Sequence, residues 1–172
     1  MFDTNLEHQS FSEPRQVILF RLAEELYAVD VKHVQSIERI GSITRIPDAP
    51  PYLKGVINLR GVVTPVVDLR LKLGLTAEAL HDGSRLIIVH VPPYNVALIV
   101  DSADEVLEID ADRLQPAPDI GANSVPYIEG VVDIDGRLIV LLDLTKVLKD
   151  SETALLEEAV DEAHPVKEEP SI

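Results

Sequence analysis

The sequence predicts an all-β fold of two small antiparallel barrels packed side by side, with a short helix and a C-terminal helical tail. Three observations carry that expectation. Short runs rich in Val and Ile, broken by Gly, Pro, Asn and Asp, fill the stretch from Gln16 to Leu148. An internal echo divides this body into two related units. Strands this short, in small groups, close into barrels and so remove exposed sheet edges.

The echo sets the organisation. Residues 52–73 read YLKGVINLRGVVTPVVDLRLKL and residues 127–148 read YIEGVVDIDGRLIVLLDLTKVL, with 7 of 22 positions identical when aligned without gaps. Gly61 falls on Gly136 and Asp68 on Asp143. Upstream, 17–38 and 86–109 match as strand, turn, second strand ending in Val-Asp, then an apolar-periodic stretch. The chain divides into an extension at 1–16, a body at 17–148 with subdomains at about 17–80 and 84–148, and an acidic tail at 149–172. A unit of about 70 residues buries only about 60% of its surface, so the two are expected to share an apolar interface.

In chain order, strands are expected at 17–22, 25–29, 43–46, 55–59, 62–68, 85–91, 96–101, 105–109, 130–134 and 137–142. Asp135–Gly136, between VVDI and RLIV, marks a hairpin, since both central residues of a type I′ turn need positive φ. Asp30 can N-cap a short helix at 31–38, with Val31, Val34 and Ile37 on one side. One helical turn is expected at 69–73. The tail at 152–163 is amphipathic, with Leu155, Leu156, Ala159 and Val160 on one face. Asp68, Asp101 and Asp143 each follow an apolar strand, where Asp accepts from nearby backbone amides.

Composition narrows the function classes. The chain carries a net charge of -15, of which residues 150–172 hold -7, residues 1–16 hold -2 and the body -6. A body of that sign repels phosphate backbones, and no basic patch is interleaved with aromatics, so a nucleic-acid partner is not expected. From Lys54 to Leu73, however, Lys54, Arg60, Arg70 and Lys72 face one acid, Asp68. Two readings fit this stretch: chance clustering on strand ends, or a docking surface for an acidic partner. There is no cysteine, the N-terminus lacks a signal-peptide pattern, and apolar runs are too short to span a bilayer. A cytoplasmic protein without membrane insertion is expected.

No catalytic set emerges. His8, His33, His81, His90 and His164 are scattered, with no two at metal-ligand spacing, and no glycine-rich phosphate loop is present. The expectation is a non-enzyme with no cofactor and no metal.

One stretch carries a family resemblance. YLKGVINLRGVVTPVVDLRLKLG closely resembles the most distinctive segment of CheW-like domains. The resemblance continues in LYAVDVKHVQSIERI before it, and in VALIVDSADEVLEI and YIEGVVDIDGRLIVLLDLTKVL after it. It covers about 17–148 in the expected order. It implies two intertwined five-stranded SH3-like β-barrels without catalytic activity. It also implies a scaffold joining methyl-accepting chemotaxis receptors to the regulatory domain of the histidine kinase CheA, in the cytoplasm at membrane receptor arrays.

Site residues follow from the same resemblance. Arg60, in Asn58–Gly61, matches the arginine that engages the receptor, and Val34 and Ile37 match apolar positions facing the same receptor helix. Many members carry a glutamate that pairs with the arginine, where this chain has Ser36. Glu38 lies two residues on, about 200° around a helix, and can replace it only if the helix has ended. Ile43 and Thr44 match one kinase-contacting segment and Ile120 the other, although barrel packing accounts for Ile43 and Ile120 as well. Two alternatives stay open: an adaptor of a parallel chemosensory pathway, and a small-ligand or regulatory module using the inter-barrel groove.

Overall fold

The structure, a computed structural model, describes residues 14–116 and 127–148. Its strands are β1 (Pro14–Leu22), β2 (Glu25–Asp30), β3 (Val34–Arg39), β4 (Leu53–Leu59) and β5 (Val62–Asp68), then β6 (Arg85–Val91), β7 (Tyr94–Val100), β8 (Ser102–Asp110), β9 (Ile128–Ile134) and β10 (Arg137–Leu142). Two single-turn helices, α1 (Leu69–Lys72) and α2 (Leu144–Val147), follow β5 and β10. Each is capped by the aspartate that ends its strand: Asp68 accepts from Arg70 N and Asp143 from Thr145 N.

The strands form two five-stranded sheets, one in the order β8-β1-β2-β10-β9 and the other β3-β6-β7-β5-β4. The two sequence copies each feed both sheets. The first gives β1 and β2 to one sheet and β3–β5 to the other; the second gives β6 and β7 to one and β8–β10 to the other. The copies meet along parallel ladders, β2 with β10 and β5 with β7. The barrels are therefore intertwined.

Each sheet is closed by the segment that leaves its first edge strand. Thr44, beyond β3, exchanges two backbone hydrogen bonds with Val56 of β4, at 2.9 and 2.8 Å; Gln115, beyond β8, does the same with Val131 of β9, both at 2.8 Å. Glycine is required at both seams. A Cβ on Gly55, whose φ is +143°, would collide with the Thr44 carbonyl oxygen, and one on Gly130 would lie 2.6 Å from the Gln115 carbonyl oxygen. The expected strand at 43–46 is thus a single bridge at Thr44, its neighbours curving around the barrel mouth.

Burial explains why the strands read as nearly continuous apolar runs. Leu19, Ala28, Ile139 and Leu141 fill the first barrel, and Val66, Leu86, Ile88 and Ile99 fill the second. The alternating residues, among them Ile18, Phe20, Val29, Ile87, Leu98 and Leu142, form a third and larger cluster between the barrels. Both faces of the central strands are therefore buried, as in fully covered sheets. The expected shared interface is the main core of the molecule. Leu144, Val147 and Leu148 complete it.

Both repeat hairpins turn as expected. Arg60–Gly61 and Asp135–Gly136 all have positive φ, from 51° to 87°. Asn58 Oδ1 accepts from Gly61 N at 2.8 Å, and Asp133 Oδ1 accepts from Gly136 N at 3.0 Å.

The helix expected at 31–38 is a correction. Only Val31–His33 turns, as a 3-10 helix capped by Asp30, and Val34–Arg39 is β3, paired with β6. The cause is a bulge. Val34 stands opposite Val89 and Ser36 opposite Ile88, leaving Gln35 unmatched. One extra residue converts the strand period of two into a spacing of three between Val34 and Ile37, which imitates a helix. The amphipathic stretch at 152–163 lies outside the described residues.

Candidate functional site

The bulge in β3 decides which side chains share a face. Val34 and Ile37 stand opposite Val89 and Ile87, whose side chains belong to the inter-barrel core, so both are on the face turned toward the other barrel. Val34 packs against that core, and Ile37 remains 42% exposed. The sequence placed these two together for a helical reason that does not hold; the bulge brings them together instead. Ser36 and Glu38 stand opposite Ile88 and Leu86, residues of the second barrel's interior, and so lie on the other face at the barrel mouth.

Arg60 projects from the β4–β5 turn with a side chain 70% exposed, and its Nη2 donates to Glu38 Oε2 at 3.0 Å. With β3 a strand, Glu38 follows Ser36 on one face, two residues apart, and meets the arginine. The ion pair that Ser36 put in doubt is therefore present, carried by Glu38. The Glu38 carboxyl is held below its ordinary range, first by the Ser36 hydroxyl and then by Arg60. Ser36 Oγ is itself buried, without a hydrogen-bond partner of regular geometry among the described residues, so its effect is that of a nearby dipole.

A residue that sequence reasoning missed lies on the matching strand of the other barrel. Val106 of β8 stands opposite Ile18, a member of the inter-barrel core, as Ile37 stands opposite Ile87, and it is 55% exposed. Ile37 and Val106 are therefore equivalent apolar positions on the two strands that edge the shared core. The signal was the repeat itself, because Val106 occupies in the second copy the place of Ile37 in the first.

The other predicted face divides differently. Ile43 is half-buried against the second barrel's interior, while Thr44 is exposed and forms the barrel seam. Ile120 lies outside the described residues. Ile43 also lines a cleft of about 400 Å³ with Arg45, Lys54, Leu80 and the buried pair Asp68 and Arg70. That pair anchors a buried polar network. Arg70 Nε and Nη2 donate to the two Asp68 oxygens, each at 3.0 Å, and Nη1 donates to Asp101 Oδ1 at 2.8 Å and to the Glu78 carbonyl at 2.9 Å. The guanidinium is held above its ordinary range, by Asp68 first. Asp101 in turn accepts from Ala23 N at 2.6 Å, in the β1–β2 turn of the other barrel. Of the four cations in the Lys54–Leu73 stretch, Arg70 is thus a buried structural group and not part of a docking surface.

Among the described residues there is no group of three or more His, Asp or Glu able to hold a metal ion, and no helix long and apolar enough to cross a membrane.

Comparison with known proteins is consistent across sequence and structure. A family profile described as a CheW-like domain matches residues 16–152. A chemotaxis protein CheW of Bacillus subtilis is 37% identical over 147 residues, covering 84% of this chain and 94% of that protein. One from Klebsiella aerogenes is 31% identical over 144 residues, covering 83% and 87%. In structure, the chain resembles the scaffolding protein TtCheW from Thermoanaerobacter tengcongensis with a TM-score of 0.74 and 34% identity, over 81% of this chain and 95% of that one.

Proposed function

The chain belongs to the CheW-like domain family and is a chemotaxis coupling scaffold; from that premise we propose that it holds two proteins at once, without catalysing a reaction. A methyl-accepting receptor docks across the edge strand β3, meeting Val34 and Ile37, with Val106, on the side of the inter-barrel core, and the Glu38–Arg60 pair, with Ser36 beneath it, on the other face at the mouth of the second barrel. The regulatory domain of the histidine kinase CheA docks through Ile43, Thr44 and Ile120. The protein thereby sits in the cytoplasm, held at membrane receptor arrays by its partners.

The observation that carries the receptor reading is the surface itself. Exposed apolar side chains at Ile37 and Val106 edge the inter-barrel core, and a mostly exposed arginine stands at the mouth of the second barrel. An amphipathic helix recognises such a surface by seating an apolar face and meeting the arginine with an acid.

Arg60→Glu tests it. The substitution places a second carboxylate against Glu38 and reverses the charge offered to the partner. The turn itself tolerates an acid, because Asp135 occupies the equivalent position with φ of 54° against 51° for Arg60. Affinity for a soluble receptor signalling fragment is expected to fall about tenfold or more, with kinase-domain binding and the melting temperature little changed. Equal loss of both partners, or an unfolded variant, would show that Arg60 supports the barrel and is not a docking residue.

A further inference from the structure

Beyond Ile37, the same face of β3 ends in an uncompensated pair of like charges. Arg39 stands directly opposite Arg85 of β6, on the face of the Ile37–Ile87 and Val34–Val89 pairs. Directly opposed like charges on a sheet repel and destabilise it. The neighbouring acid in sequence does not relieve them. Glu38 lies on the other face of the strand and is taken by Arg60. Asp82, in the turn before β6, gives Arg85 its carbonyl and not its carboxylate. Arg85 Nη1 donates to the Asp82 and Ser84 carbonyl oxygens at 2.7 and 2.8 Å, which fixes the guanidinium while leaving Nη2 and Nε without a partner among the described residues. Asp101, one residue beyond the Val100 that pairs with Arg85, is engaged by Arg70 and Ala23. Arg39 has no hydrogen bond or ion pair among the described residues.

We propose that Arg39 and Arg85 form a carboxylate clamp at the end of the Val34–Ile37 row, which takes an acidic side chain of the receptor helix docked there. The inference rests on the receptor reading above and adds to it a determinant of which helix is accepted. Two adjacent guanidinium groups, one already held in place, match a carboxylate in bidentate fashion. An apolar row ending in a dication therefore selects a helix whose apolar face is followed by an acid, and disfavours one that places a cation there.

The test measures binding of a soluble receptor signalling fragment to the full chain, at low salt and at about 300 mM salt. Four proteins are compared: wild type, Ile37→Ser, Arg39→Gln, and Arg39→Gln with Arg85→Gln. The double variant is expected to bind about tenfold more weakly at low salt and to lose much of the salt dependence. Ile37→Ser should weaken binding while keeping that dependence. Arg39→Gln alone should show part of the loss, and because Arg39 makes no hydrogen bond or ion pair among the described residues, its melting temperature is expected to match that of the wild type. Normal binding by both arginine variants, with Ile37→Ser impaired, would overturn the clamp and leave the receptor face standing. No binding by the wild type, or no effect of any substitution, would overturn both. Tighter binding by the double variant would mean that the cations hold an acid of this chain, such as one from 149–172, and would overturn the clamp.

Discussion

At the scale of single residues, two arginines of the same short stretch do opposite work. Arg60 is mostly exposed and its bond to Glu38 is made at the surface, so the pair adds little to stability, and the role proposed for Arg60 is toward a partner. Arg70 is 3% exposed and ties Asp68, Asp101 and the Glu78 carbonyl together. Breaking a buried ion pair from one side leaves the other charge stranded, which costs about 3–5 kcal/mol. Arg70→Met is accordingly expected to lower the melting temperature by roughly 6–20 °C, at about 2–4 °C per kcal/mol for a chain of this size. Calorimetry on the variant checks it, and a change under 3 °C would mean that water replaces the guanidinium at little cost. The sequence singled out Arg60, in the Asn58–Gly61 turn, but did not reveal that Arg70 is buried. Both are cations two or fewer positions from a strand end, and only the closing of the barrel decides which is covered.

Among the elements, legibility followed the range of the forces involved. The hairpin turns, the strand-ending aspartates and the strands from 85 to 110 are local matters of turn chemistry and apolar runs, and they were readable. β3 was not, because a bulge is a relation between two strands and leaves no mark in one of them; the unmatched Gln35 is visible only against β6. The Glu38–Arg60 pair was obscured for the same reason, since it depends on Glu38 alternating with Ser36 along a strand. The repeat contained the correction, because the segment matching β3 in the second copy reads as a strand. After β10, α2 is as short as α1, but Leu144, Val147 and Leu148 are all buried in the inter-barrel core. Truncation after Lys149 should therefore leave the fold and its melting temperature nearly intact. Truncation after Asp143 removes three buried apolar side chains and should cost several kcal/mol, at about 1.5–3 kcal/mol for each one. Chemical denaturation of the two truncated chains distinguishes them, and equal midpoints would show that this segment does not belong to the core.

On the scale of the whole molecule, the two barrels are not separable bodies, because the largest apolar cluster lies between them and each draws strands from both sequence copies. Phe20 belongs to that cluster, fully buried and stacked on Tyr27 at 6.1 Å. Phe20→Ala should destabilise by about 3–5 kcal/mol, and both sheets should melt in one transition. Amide exchange would show β6–β7 and β9–β10 losing protection together; survival of one sheet after the other had opened would contradict the shared core. The swapped hairpins also bear on how the chain leaves the ribosome. The second barrel, β3 to β7, lies in one continuous stretch and can close while synthesis continues. β1 and β2 emerge before it, yet β2 pairs with β10, roughly 110 residues later, an interval on the order of 10 s at bacterial elongation rates. Throughout that time the nascent β1–β2 hairpin presents an apolar edge with no partner of its own chain. The second barrel beside it, once closed, offers the apolar face against which Ile18, Phe20 and Val29 pack, so the core joining the barrels is expected to form before the first barrel closes.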